Sequence, residues 1–244
     1  MKKKLLSVAL VVAMLAIVVS GTLAYFTAED KVTNIFTIGS VMIEIYENGT
    51  ATTEDVRNLG SLTPVVNMDD PSADESYIPK VINVKSTGLN KAYIRTFIAI
   101  PTALEGYLVL VMAGTDWTQV YTKTFTDETG MGYTVYAYDY AKAVKPGEST
   151  TDLLKGVYLN SAVDLKDNPA TTAEDLEFCI RNADGTYSFS GYVAHSKTEN
   201  GYSSNTVNVL VASQAIQAEG FTTEDATQAL NTGFGEKTIP WATK

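Results

Sequence analysis

Apolar and polar residues alternate with a period of two along most of this chain. In SVMIEIYENG, Val41, Ile43 and Ile45 share one face and Glu44 takes the other, the pattern of a half-buried strand. YIPKVINVKSTG predicts a strand from about Lys80 to Ser86, with Pro79 at its entry, where a residue without an amide proton is tolerated. KAYIRTFIAIP sets Ala92, Ile94, Thr96, Ile98 and Ile100 on one face and Lys91, Tyr93, Arg95, Phe97 and Ala99 on the other. Between these two runs, STGLN is a turn with Gly88 free to take a positive φ. YLVLVMAG is apolar on both faces and predicts a central strand. GYTVYAYDYAKAV, DLLKGVYLN, TYSFSGYVA and NTVNVLVASQAIQ continue the alternation, the last aligning Val207, Val209 and Val211. Seven or eight strands punctuated by Gly, Asn, Asp and Pro predict an all-β fold, an antiparallel jelly-roll-like β-sandwich.

Two stretches break the pattern and predict short helices. ATTAEDLEFCIRN places Thr171 or Thr172 ahead of Glu174 and Asp175, and GFTTEDATQALNTG places Thr222 or Thr223 ahead of Glu224 and Asp225. Hydroxyl caps followed by carboxylates suit helix N-termini. The polar, acidic segment from Glu47 to Ser76 predicts a long surface loop.

The first residues have a different pattern. Lys2, Lys3 and Lys4 precede a run from Leu5 to Val19 that is apolar except for Ser7, and Ser20 to Ala24 are small. This is the three-part layout of a cleavable signal helix, with Thr22 and Ala24 at the small-residue positions and Tyr25 first after the cut. A spanning helix needs roughly 20 apolar residues, more than this run holds. The layout is therefore residues 1–24 as signal peptide, 25–38 as an N-terminal extension or donor strand, and 39–244 as one sandwich domain. The chain is expected to be secreted, touching a membrane only through the signal before cleavage. It ends EKTIPWATK, without the apolar tail and basic terminus that covalent wall sorting requires.

Composition narrows the chemistry. The formal charge is −10, and removal of the three leading lysines makes it more negative still. Such a chain is repelled by nucleic acid and by anionic membrane surfaces. The single cysteine, Cys179, lies in an apolar run and reads as a buried structural thiol. The single histidine, His195, cannot supply the paired imidazoles of a helical zinc-protease motif, and no nucleophile motif accompanies it. Asp69, Asp70 and Asp74 in MDDPSADES are weak calcium candidates that lack regular calcium-loop spacing, so a solvated acidic loop is expected. The Tyr136, Tyr138 and Tyr140 stripe could face a carbohydrate or a partner, but cross-strand packing inside the sheet is the expected use. No cofactor, metal or enzymatic activity is expected.

Three stretches, SGTLAYFTAEDKVTNIFTIGSVMIEIYE, KVINVKSTGLNKAYIRTFIAI and SQAIQAEGFTTEDATQAL, fall in an order that resembles the TasA/camelysin family. These are exported bacterial proteins processed by a SipW-type signal peptidase. The resemblance implies a jelly-roll subunit of an extracellular biofilm matrix, whose freed N-terminal segment adds as a strand to the next subunit in a head-to-tail homopolymer, with minor matrix subunits as further partners. The family's metallopeptidase label does not fit a chain with one histidine. Residues 25–38 suit strand donation. Tyr25, Phe26, Val32, Ile35, Phe36 and Ile38 are candidate contacts, while Glu29, Asp30 and Lys31 keep the segment soluble. The alternative function is a cell-surface module that binds a glycan or host protein through loops on the same sandwich.

Overall fold

The computed structural model describes residues 27–31, 41–52, 62–221 and 225–241. Within them lie fourteen β-strands, numbered in chain order, and one α-helix. A first sheet of five strands runs β1 (Thr27–Lys31), β14 (Leu210–Gln217), β5 (Ala92–Pro101), β8 (Gly132–Tyr140) and β7 (Trp117–Thr126). A second runs β3 (Thr50–Ala51), β2 (Ile43–Glu47), β4 (Ile78–Ser86), β9 (Leu154–Leu159) and β6 (Leu108–Met112). Every pairing in both is antiparallel. The chain passes repeatedly from one sheet to the other, from β4 to β5, β5 to β6, β6 to β7 and β8 to β9. These crossings generate the jelly-roll-like sandwich that the alternation predicts. Between β9 and β14 comes a four-stranded antiparallel sheet, β10 (Val163–Asp167), β11 (Leu176–Arg181), β12 (Tyr187–Thr198) and β13 (Gly201–Ser204).

The main core lies between the two five-stranded sheets. β2 contributes Ile43 and Ile45, β4 Ile82 and Val84, β5 Ile94, Ile98 and Ile100, and β8 Tyr138 and Tyr140. These are the inward rows that the alternation marks. A fully buried side chain of this kind contributes roughly 1.5–3 kcal/mol. The inward row of the second sheet ends in an ion pair, Lys80 Nζ to Glu47 Oε1 at 2.7 Å, with both residues buried. The tyrosine stripe also points inward, and the half-buried Tyr136 hydroxyl donates to Glu105 Oε1 at 2.8 Å. Burial, with the Glu105 carboxylate beside it, raises the pKa of that hydroxyl.

All ten residues of β5 are buried, because its second face is covered as well. The helix α1 (Ala226–Phe234) lays Ala229 and Leu230 against Tyr93 and Ile216. The segment after it sets Trp241 edge-on to Phe97 and stacked on Phe125.

The structure departs from the sequence expectations in four places. First, residues 171–181, expected to hold a helix, instead yield β11. Glu174 adopts φ 42°, outside the right-handed helical region, and Glu177, Phe178 and Cys179 are buried in a strand paired on both sides. Non-local pairing outweighs the local cap signal there. Second, α1 is capped by Asp225, whose carboxylate accepts from the Thr227 and Gln228 amides; it runs past Gly233 to a C-cap at Gly235. The expected caps Thr222 and Thr223 lie outside the described residues. Third, β6 is an edge strand of the second sheet and not a central one. Its apolar second face reflects half-burial at the rim. Fourth, the strands outnumber the seven or eight expected. The polar β7 and the short β3 and β13 lack the apolar alternation by which the others are read, and β10 alternates over only five residues.

Candidate functional site

The strand at the rim of the first sheet is β1, Thr27–Lys31. β1 runs antiparallel to β14 in a continuous register, from Thr27 opposite Ile216 to Lys31 opposite Ala212. Only this part of the segment read as a donor strand is described. Thr22, Ala24, Tyr25, Phe26, Val32, Ile35, Phe36 and Ile38, like all of residues 1–26, lie outside the described residues.

β14 is built to be a sheet strand between two others. On β5 it pairs from Leu210 opposite Ala99 to Gln217 opposite Ala92. Its middle is small: Ala212, Ser213 and Ala215 are fully buried. Ser213 shares a 2.9 Å hydrogen bond with Thr96 inside the sandwich, so neither hydroxyl is left unsatisfied there. Gln214 stands on the opposite face, across from Arg95.

That opposite face carries the most polar buried cluster. Arg95 is fully buried and forks onto Asp139, Nε to Oδ1 at 2.6 Å and Nη2 to Oδ2 at 2.8 Å. Nη2 also donates to Asn231 Oδ1 of α1 at 3.0 Å. Tyr121 lies under the guanidinium, 5.2 Å from ring centroid to charge, and its hydroxyl donates to the Thr238 carbonyl. One guanidinium thus links β5, β8, β7 and α1, and through Tyr121 the C-terminal segment. A bidentate pair in low dielectric is the favourable way to bury an arginine. Sequence alternation puts Arg95 on this face, but its partners lie on other strands and on a helix far along the chain.

The other candidate residues do not converge. His195 Nδ1 and Ser204 Oγ share a 3.1 Å contact across the β12–β13 pair. No carboxylate hydrogen bond to that imidazole is found among the described residues. Cys179 is fully buried in β11, and burial pushes its thiol pKa up, away from the reactive thiolate. Asp74 is folded into its own loop. Its Oδ2 accepts from the Val66 amide at 2.7 Å and the Asn67 amide at 3.2 Å, and its Oδ1 from the Ser76 amide at 2.9 Å. Asp70 Oδ1 accepts from Ser72 Oγ, and Asn67 Oδ1 holds the Asp69 and Asp70 amides. This hydrogen bonding is that of a stapled loop: Asp74 spends its oxygens on backbone amides, and Asp69 and Asp70 do not join it in a ligand set.

The geometry therefore sets out a sheet whose rim strand, Thr27–Lys31, is paired onto β14. Its chemistry is antiparallel backbone pairing, from Thr27 opposite Ile216 to Lys31 opposite Ala212. Comparison with family models, with curated proteins and with solved structures found no match.

Proposed function

We propose that this chain is a secreted structural subunit of a bacterial extracellular matrix, assembling into fibres by adding its N-terminal strand to the next subunit after the signal is cut. The observation that supports this reading is the antiparallel pairing of Thr27–Lys31 with Ala212–Ile216. Those contacts are made by backbone groups at a sheet rim. The same segment from a second copy can form the same hydrogen bonds in the same register, so exchange between copies preserves the bonding of the closed chain. Repeated head to tail, the exchange gives an open filament. The motif order shared with the TasA/camelysin family agrees with this reading. A SipW-type peptidase cutting after Ala24 would free the segment from its membrane tether and so permit polymerisation.

The test compares the mature chain beginning at Tyr25 with one beginning at Thr37, both imaged by negative-stain electron microscopy over a time course. The longer chain is expected to give filaments and the shorter one isolated particles. Filaments of equal number and growth rate from both would defeat the proposal.

A further inference from the structure

The two five-stranded sheets have four rims, and three of them carry features that discourage pairing with another chain. β3 is two residues long. β7 is polar, with Lys123 near its centre and a register break between Gln119 and Tyr121. β1 is short and reads TAEDK. Short length, a lysine, a bulge and charge are the usual devices that protect a sheet edge. The fourth rim, β6, is as short as β1 and its ladder with β9 shifts register between Val111 and Met112, but it carries neither a lysine nor any other charge. It reads LVLVM, uncharged and without proline, and it is hydrogen-bonded to β9 alone.

The direction of its free backbone groups follows from the ladder. The Asn160 amide donates to the Tyr107 carbonyl, and the Ala113 amide donates to the Leu153 carbonyl. Val109 stands opposite Tyr158 and Val111 opposite Gly156. Antiparallel alternation therefore turns Tyr107, Val109, Val111 and Ala113 toward β9, and Leu108, Leu110 and Met112 away from it. Among the described residues, the backbone groups of Leu110 and Met112 have no partner on that outer side. The side chains of Leu110 and Met112 pack on the main core, whereas Val109 and Val111 stand half-buried on the opposite face.

We propose that β6 is a second assembly surface, at which two copies of this chain join their second sheets through an antiparallel, two-fold β6–β6 contact centred on Leu110. A second copy is the occupant that this rim fits best. A two-fold axis through Leu110 places each Leu110 opposite its counterpart, where the two exchange both backbone hydrogen bonds, and it sets Val109 opposite Val111 of the other copy. Paired β-branched residues on a sheet face are a favourable cross-strand combination. Charge points the same way. The chain as a whole repels itself at a formal charge of −10, yet this strand brings no charge to the contact. The flanking carboxylates are already engaged, Glu105 by the Tyr136 hydroxyl and Asp116 by Lys142. The contact uses no residue of the N-terminal strand, so in a filament it would join strands of subunits side by side.

Mixed cysteine cross-linking tests the register. Val109→Cys and Val111→Cys are made separately in the mature chain, whose one native cysteine is fully buried. Opposed residues in the proposed contact have Cα atoms about 4.5 Å apart, within disulfide range, whereas like residues lie diagonally at about 7–8 Å. Oxidation of the mixture is expected to double the apparent mass on a non-reducing gel, and oxidation of either variant alone is expected to leave it unchanged. Absence of a dimer in the mixture, or equal dimer from the single variants, overturns the proposal. The same pair of substitutions in the chain beginning at Thr37 separates this contact from strand donation. The dimer is expected to persist there, even though filaments do not form. Filaments from the mature chain without any β6 cross-link would overturn the present proposal and leave strand donation standing.

Discussion

At the scale of single residues, Arg95 and Asp74 show how polar groups are handled in two opposite settings. Arg95 is fully buried, and Asp139 supplies its only carboxylate partner among the described residues. Asp139→Ala would strand a guanidinium in low dielectric, and breaking a buried pair in this way costs about 3–5 kcal/mol. Urea titration of both proteins is the measurement; a loss below about 1 kcal/mol would show that the cluster is not a structural centre. Asp74 is a surface carboxylate held by the amides of Ser76, Val66 and Asn67, and those hydrogen bonds lower its pKa. A group with a depressed folded pKa contributes stability that is present above its unfolded value and is lost as pH falls through the folded one. The melting temperature of the wild type should therefore exceed that of Asp74→Asn at neutral pH, and the gap should narrow as the solution is acidified below the ordinary Asp value of 3.8. A gap independent of pH would contradict this assignment. Neither role is legible in the sequence alone. Alternation places Arg95 on a face, but Asp139 is 44 residues away and Asn231 is 136. Asp74 sits in an acidic run whose composition is equally that of a weak calcium loop, and only the loop's folding shows where its oxygens point.

At the scale of elements, strands with two clearly different faces were legible, and elements defined by distant partners were not. The inward rows of β2, β4, β5 and β8 follow directly from alternation. β11 was hidden because Thr171 to Asp175 carry helix-start chemistry, while the strand is set by its pairing with β10 and β12. For α1 the sequence places the helix correctly but not its cap. Asp225→Ala removes the carboxylate that accepts from Thr227 and Gln228, and the expected loss is about 0.5–2 kcal/mol by chemical denaturation. If stability is unchanged, the cap is not what starts this helix. Gly156 in β9 makes a sharper case. A Cβ there would meet the Tyr77 ring at 2.3 Å and the Ile78 carbonyl oxygen at 2.7 Å. The ring could swing aside but the carbonyl belongs to the paired strand, so Gly156→Ala should destabilise by about 1–3 kcal/mol, as overpacking does. Combination with Tyr77→Ala should recover only part of the loss, which a double-mutant cycle would read.

At the scale of the whole molecule, the first sheet is completed from both ends of the chain. α1 and the segment to Trp241 close its outer face, and β1 closes its rim on β14. These two additions differ in kind. The first is anchored by aromatic stacking and by the Arg95–Asn231 bond, side-chain contacts peculiar to that face. The second is backbone pairing over five residues, the type of contact that another copy of the same segment can replace. The sequence points to the N-terminal segment as a strand, but the strand it pairs with could not be read from it, since β14 lies some 180 residues further on and its small, uncharged residues do not say which strand lies beside them. The asymmetry leads to a measurement that does not depend on filaments. A synthetic peptide of residues 25–38, added to the chain that begins at Thr37, should bind the vacant rim and stabilise the fold. At a peptide concentration one hundred times its dissociation constant the linkage is about 2.7 kcal/mol. For a domain of this size that corresponds to a rise in melting temperature of roughly 5–10 °C. A peptide of the same composition in scrambled order should give no rise, because register on β14 depends on the order of side chains and not on their number. If the native peptide gives no rise at saturating concentration, β14 is not an acceptor for a free strand, and the intrachain pairing of Thr27–Lys31 is then a fixed part of the folded subunit.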